Sequence, residues 1–213
     1  MADEANLFET MQTMRAMRRL KPDPVPDALI RQILQAGACA PNGGNTQRWR
    51  FLVVKDPKIK RDVQVFYKRA FDEVVGPRYL QSSPPPGVSR EKYNRQHAAV
   101  EYLTHHFHEA PVWIVACLEE GAAAPTRWSG ASIYPAVQNM LLAARALGLG
   151  ATLTTRHLLH EKDAEAALGL PPGVHSYAII PIGYPMGQFG PVGRGPLKEI
   201  VYQDRWGTPY PGL

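Results

Sequence analysis

Apolar and polar positions along the chain follow two periods, one near 3.6 residues and one near 2. Residues 27–38 carry Ile30, Ile33, Leu34 and Ala38 at i, i+3, i+4 and i+8. That is one face of an amphipathic helix, with Asp27 as its N-cap and Gly37 allowing close packing near its end. Residues 6–19 also read as helical, and Lys21-Pro-Asp-Pro-Val-Pro26 between the two is extended, because three prolines remove donors and push their predecessors out of the helical region. Residues 39–48 form a turn-rich loop, and Trp49–Val54 reads as a strand. Pro57 opens a helix to about residue 75, Ser82-Ser-Pro-Pro-Pro-Gly87 breaks the chain, and 89–108 is helical again. Pro111–Leu118 is an apolar strand and 121–129 a loop. Residues 130–147 form a helix apolar nearly all round, closed by Gly148. A short strand at 151–155, a helix near 160–168, a strand at 176–183 and a possible edge strand at Glu199–Tyr202 complete the pattern.

This order is α+β, without the regular alternation of a doubly wound sheet. At 213 residues a single domain with a sizeable core is expected, with room for a lid at about 56–110. No G-x-G-x-x-G after a strand, Walker loop, H-E-x-x-H or G-x-S-x-G occurs. The apolar fraction of 45% and charged fraction of 20% exclude global disorder. No apolar run is long enough for a membrane helix, and the start lacks a secretory layout, so a cytoplasmic protein is expected. Cys39 and Cys117 sit in apolar stretches and read as reduced core thiols. The formal net charge of +5 favours an anionic partner, and basic residues gather at Arg15, Arg18, Arg19 and Lys21. No nucleic-acid-binding motif accompanies them. Among His105, His106 and His108 the helical spacing brings only 105 and 108 together, with no third ligand evident, so no metal site is expected there and a partly exposed polar helix face is the reading.

Four segments, in order and spacing over almost the whole chain, resemble the nitroreductase family of FMN enzymes. They are Arg15-Ala-Met-Arg-Arg19 with Pro24-Val-Pro-Asp27; Ala40-Pro-Asn-Gly-Gly-Asn-Thr-Gln-Arg-Trp49; Ala136 to Thr152; and Pro181-Ile-Gly-Tyr-Pro185 with Arg194-Gly-Pro-Leu197. Residues 56–110 match nothing in the resemblance. The resemblance implies a nitroreductase-like α+β fold, with a central, mainly antiparallel sheet flanked by helices in an intertwined homodimer. It implies an FMN site built from Arg15, Ala16, Met17, Arg18, Pro41, Asn42, Gly43, Asn45, Gln47, Leu153, Thr154, Thr155 and Arg194. Arg15 and Arg194 match phosphate positions, where a bidentate guanidinium pair is the strong way to hold that group. Arg18 matches the basic residue near N1 and the C2 carbonyl of the ring. Pro41–Gln47 matches the loop that reaches the ring from the partner subunit. Leu153-Thr-Thr155 matches the strand end passing N5, with the Thr155 hydroxyl near that atom.

The chain departs from the pattern at Met14, where a further Arg is common, at Ala16 and Asn42, where Ser is common, and at Arg48, where Pro is usual. The activity implied is ping-pong hydride transfer from NADH or NADPH through FMN to a nitroaromatic or similar electron-poor acceptor, with no side-chain nucleophile and no metal. Related outcomes are reductive dehalogenation, enone reduction or dehydrogenation. A non-enzymatic flavin-binding or nucleic-acid-binding module is the rival of a different class. Tyr67, Phe71, Tyr79 and Tyr93 in the unmatched middle are candidate pocket walls.

Overall fold

The structure is a computed structural model that describes residues 6–213. Its centre is a four-stranded, wholly antiparallel sheet in the order β1-β2-β4-β3, formed by β1 (Trp49–Val54), β2 (Val112–Glu119), β3 (Gly150–Ala151) and β4 (Val174–Gly183). Strand β2 is covered on both sides, so its residues read as a continuous apolar run rather than an alternation. The pleat still divides them. Ile114, Ala116 and Leu118 face one core, and Trp113, Val115 and Cys117 face the other.

The first core packs under α2 (Asp27–Ala38) and α6 (Arg127–Ala146), through Ile30, Ile33, Ile133, Val137 and Met140. Gly37 is the point of closest approach: a Cβ there would lie 2.9 Å from Met140 Cγ. The all-round apolar character of α6 is thus largely satisfied within one chain. The second core packs under α3 (Pro57–Ala70) and α5 (Arg90–His106), with Tyr67, Phe107 and Trp113 stacked at successive centroid distances of 4.1 Å. Asp56 caps α3 by accepting from the Lys58 and Ile59 amides, and Pro57 occupies its first turn. A widened π turn, Phe71–Val75, links α3 to α4 (Gly76–Gln81), and α7 (Glu161–Leu168) precedes β4.

Four local expectations are corrected. Only α1 (Leu7–Thr13) of the 6–19 stretch is helical. Beyond it the chain runs extended, because the Met17 amide donates to the Ala151 carbonyl and Leu20 bridges Pro185, so sheet-edge pairing replaces helical bonding. Asp27 is the first helical residue and not the cap; that position is Pro26, and the Asp27 carboxylate pairs with Lys55 instead. Residues 199–202 carry no strand: a 3₁₀ turn at Leu197–Glu199 precedes a single bridge from Tyr202 to Pro209. Cys39 is exposed at the end of α2, whereas Cys117 is buried.

Candidate functional site

The extended ribbon after α1 decides which basic residues meet. Met17 and Leu20 point into the cores, and Gly150 lets the ribbon lie against β3. A Cβ on Gly150 would stand 2.8 Å from Leu20 Cδ2 and 2.9 Å from Met17 Cβ. With those apolar residues turned inward, Arg15 and Arg18 face a cavity of about 500 Å³. The C-terminal tail closes it. The Val192 amide donates to the Gln12 carbonyl at 2.9 Å, which sets Arg194 on the cavity wall beside Arg15 and Ala16. Arg145 steadies this strap, donating to Thr13 Oγ1 at 3.0 Å and lying 4.3 Å over the Phe189 ring. Lys92, Tyr93, Gln96 and His97 of α5 and Tyr79 of α4 form the opposite wall.

Arg18 is the unusual group. Burial pushes its pKa below the ordinary guanidinium value; Arg156 and Arg15 push the same way, against the neighbouring Tyr79 and Tyr67. Among the described residues it has no hydrogen bond and no carboxylate partner. Arg15 and Arg18 therefore share one partly desolvated cavity, with Arg156 beneath adding to the repulsion on Arg18, a costly arrangement unless an anion completes it. Among the described residues no Asp or Glu lines the cavity.

Beneath this point lies a second layer. Thr154 Oγ1 donates to Tyr67 Oη at 2.9 Å, and the Thr154 amide and carbonyl both pair with Ile179. All the polar groups of Thr154 are thus engaged inside the protein, while Leu153 and Thr155 beside it are exposed. Arg156 lies 4.8 Å over the Tyr67 ring and 5.3 Å over Phe71 and donates to Thr104 Oγ1. His97 is held between Tyr79 and Tyr93 at centroid distances of 4.0 and 3.9 Å, with Nε2 buried and unpartnered among the described residues.

The loop at 41–48 lies elsewhere. Pro41, Asn42 and Gly43 line a different cavity of about 670 Å³, with Arg48, Trp128 and Ser132. Asn42 Oδ1 accepts from the Gln47 amide at 2.9 Å, Gln47 Nε2 donates to Asn45 Oδ1 at 3.2 Å, and the Gly43 amide donates to Ser132 Oγ at 3.2 Å. Asn45 and Gln47 both have left-handed backbone, at φ 52° and 50°. Two non-glycine residues held so within one short loop mark a shape maintained at a cost.

The structure therefore brings Arg15, Ala16, Arg18 and Arg194 together, sets Met17 and Thr154 behind them, and leaves 41–47 on a separate surface of the same chain. Of the aromatic candidates, Tyr79 and Tyr93 line the cavity, Tyr67 is buried beneath it, and Phe71 lies against Arg156. Sequence reasoning passed over Lys92, His97 and Arg156, whose proximity depends on how α5 and the 3₁₀ turn at Arg156–His160 fold back. It also passed over Glu161, Glu165 and His175, whose ligand-type atoms lie within 4.8 Å of one another. One Glu165 oxygen of that cluster is already engaged by the Ser176 amide and hydroxyl.

The nitroreductase family model matches residues 12–184, a span that includes Arg15, Arg18, the 41–48 loop and every strand. The chain belongs to the nitroreductase family. A relative named NADH dehydrogenase from Thermus thermophilus is 29% identical over 203 residues, covering 88% of this chain and 90% of that one. Iodotyrosine deiodinase from Drosophila melanogaster is 29% identical over 187 residues, covering 84% of this chain; the match spans only 62% of that enzyme. A nitroreductase-type protein from Desulfovibrio desulfuricans, solved in complex with FMN, superposes with a TM-score of 0.70 at 28% identity, covering 96% of this chain and 99% of that one. The antiparallel sheet flanked by helices is thus a nitroreductase-like fold. Among the described residues no helix is long and apolar enough to cross a membrane.

Proposed function

We propose that this chain is an FMN-dependent oxidoreductase that acts as a homodimer, accepting electrons from NADH or NADPH and reducing a small, electron-poor aromatic. The observation that carries the reading is Arg18, a half-buried guanidinium in the cavity it shares with Arg15, repelled by Arg15 and Arg156 and without a carboxylate partner among the described residues. A flavin mononucleotide fits what the cavity lacks: a phosphate for the outer guanidiniums and an electron-rich ring edge for the inner one. When bound, the flavin supplies the redox chemistry, taking a hydride from the nicotinamide and passing reducing equivalents to the acceptor.

The chain's own residues bind, orient and shield. Arg15 and Arg194 would grip the phosphate with paired N–H donors. Arg18 would face N1 and the C2 carbonyl, where its charge stabilises negative charge on the ring and so raises the potential. The exposed Thr155 hydroxyl and the backbone at Leu153 would border N5; Thr154, fully engaged with Tyr67 and Ile179, would hold that edge in place. Tyr79, Tyr93 and His97 would wall the acceptor and exclude water.

The dimer is supported by the position of the 41–47 loop. It is stiffened like a binding loop yet lies outside the Arg15 cavity of its own chain, as a loop serving a neighbouring subunit would. Phe8, Trp128 and Trp206, at 72%, 85% and 90% exposed, supply apolar surface for such contact. Reductive dehalogenation is the second reading, favoured by the deiodinase relative and by the free position of Thr155.

Titrating apoprotein with FMN by fluorescence quenching, then reducing it with NADH or NADPH under nitrogen and reoxidising it with a nitroarene or an iodophenol, tests the proposal. Submicromolar FMN binding lost in an Arg15→Ala/Arg194→Ala variant supports it. Unchanged binding in that variant overturns it. The faster acceptor separates the two reactions.

A further inference from the structure

The base of α5 carries a cation that its own helix opposes. Lys92 lies in the first turn of α5, capped by Ser89, whose Oγ accepts from the Lys92 amide at 3.2 Å. That end of a helix carries the equivalent of roughly half a positive charge, so a lysine there is disfavoured unless an anion sits nearby. Neighbouring charges do not supply one. Arg95 takes Glu91 in an ion pair, Arg90 lies 5.8 Å over the Tyr93 ring, and Lys92 forms no ion pair or hydrogen bond through its side chain among the described residues.

Lys92 lines the same cavity as Arg15 and Arg194. Its Nζ reaches the tail, 3.7 Å from where a Cβ on Gly193 would stand, next in sequence to Arg194. Three cations from three separate segments therefore converge: Arg15 from the ribbon after α1, Arg194 from the C-terminal strap, and Lys92 from the 56–110 region. The strap is bonded to the end of α1 through Val192 and Gln12 and to the ribbon through Met186 and Arg19, and Tyr102 further along α5 reaches Met186, but among the described residues no hydrogen bond or ion pair joins the first turn of α5 to the ribbon or the strap.

Resting on the FMN reading above, we propose that Lys92 is a third phosphate-binding group, and that the phosphate ties the first turn of α5 to the body of the protein. Met14, which offers no charge on the ribbon, is compensated from across the cavity. Riboflavin, identical in its ring but without phosphate, would reach Arg18 and leave α5 untied. The phosphate thus selects the cofactor and sets the wall formed by Tyr93 and His97, one and five residues beyond Lys92 on the same helix.

The test uses the full chain as apoprotein, titrated with FMN and with riboflavin, for the natural sequence, Lys92→Met and Lys92→Arg. Amide hydrogen exchange over residues 89–97 is the second readout. Lys92→Met is expected to weaken FMN about tenfold, leave riboflavin within about twofold, and be largely restored by Lys92→Arg. FMN is expected to slow exchange in the first turns of α5 and riboflavin to leave it unchanged. If Lys92→Met binds FMN as tightly as the natural chain, or weakens both flavins equally, the Lys92 assignment is overturned while FMN binding stands. If the natural chain binds neither flavin, the FMN reading itself falls, and this inference with it.

Discussion

Replacing Arg18 by methionine separates the cost of the site from its use. Methionine keeps much of the unbranched stem that packs in the cavity wall and removes only the charged head. In the free protein that head is half-buried and repelled by Arg15 and Arg156, so its removal relieves repulsion. Substitutions that relax a functional site commonly recover roughly 0.5–2 kcal/mol. For a chain of this size each kcal/mol raises Tm by about 2–4 °C. In the FMN complex the sign reverses. A hydrogen bond from a charged donor contributes roughly 1.5–3 kcal/mol, and at about 1.4 kcal/mol per decade its loss weakens binding about 10- to 150-fold. Differential scanning fluorimetry of apoprotein and a quenching titration with FMN measure the two effects on one preparation. Arg18→Met is expected to melt higher when empty and to bind FMN more weakly. A variant that melts lower and binds FMN unchanged would refute the reasoning, because Arg18 would then be a structural residue.

Two further outcomes concern the scaffold. Gly150→Ala places a methyl 2.8 Å from Leu20 Cδ2, 2.9 Å from Met17 Cβ and 3.2 Å from Pro185 Cβ, so a destabilisation of roughly 1–3 kcal/mol in urea unfolding is expected, with weakened FMN binding as the ribbon shifts; an unchanged midpoint contradicts this packing. His157 is buried with its pKa pushed down to about 4 by desolvation, against 6.5 when exposed. Folded His157 therefore stays neutral while the unfolded chain binds a proton, so its contribution is intact above pH 6.5 and is lost as pH falls towards 4, by roughly 3 kcal/mol in all. Stability that stays flat between pH 6.5 and 5 contradicts that burial.

Periodicity was most informative where one helix face or one strand met the core without help from distant residues. The bounds of α2 and β1 are those expected, because Ile30, Ile33 and the run Trp49–Val54 satisfy their own local pattern. Residues 14–19 misled for the opposite reason. Their helical propensity was outweighed by sheet-edge bonds to Ala151 and Pro185, partners over a hundred residues away in sequence. The meeting of Arg15 and Arg194 was legible through family resemblance, not through anything local to either residue. Arg156 and Lys92 carried no such signal. Each is an ordinary basic residue in its own stretch, and only the folded chain sets Lys92 on the cavity wall and Arg156 against Tyr67 beneath it. For the 41–47 loop, turn composition predicted its irregular shape, but not that Asn42 and Gln47 would spend their hydrogen bonds on each other.

The strap and the ribbon have a consequence for how the protein matures. Arg15 leaves a ribosome well before Arg194, and the ribbon cannot settle until β3 and Pro185 exist to receive it. On the FMN reading, a nascent chain lacks the complete phosphate grip until the strap has been made. On that reading loading follows folding, and each molecule passes through an empty form on its way to the complex.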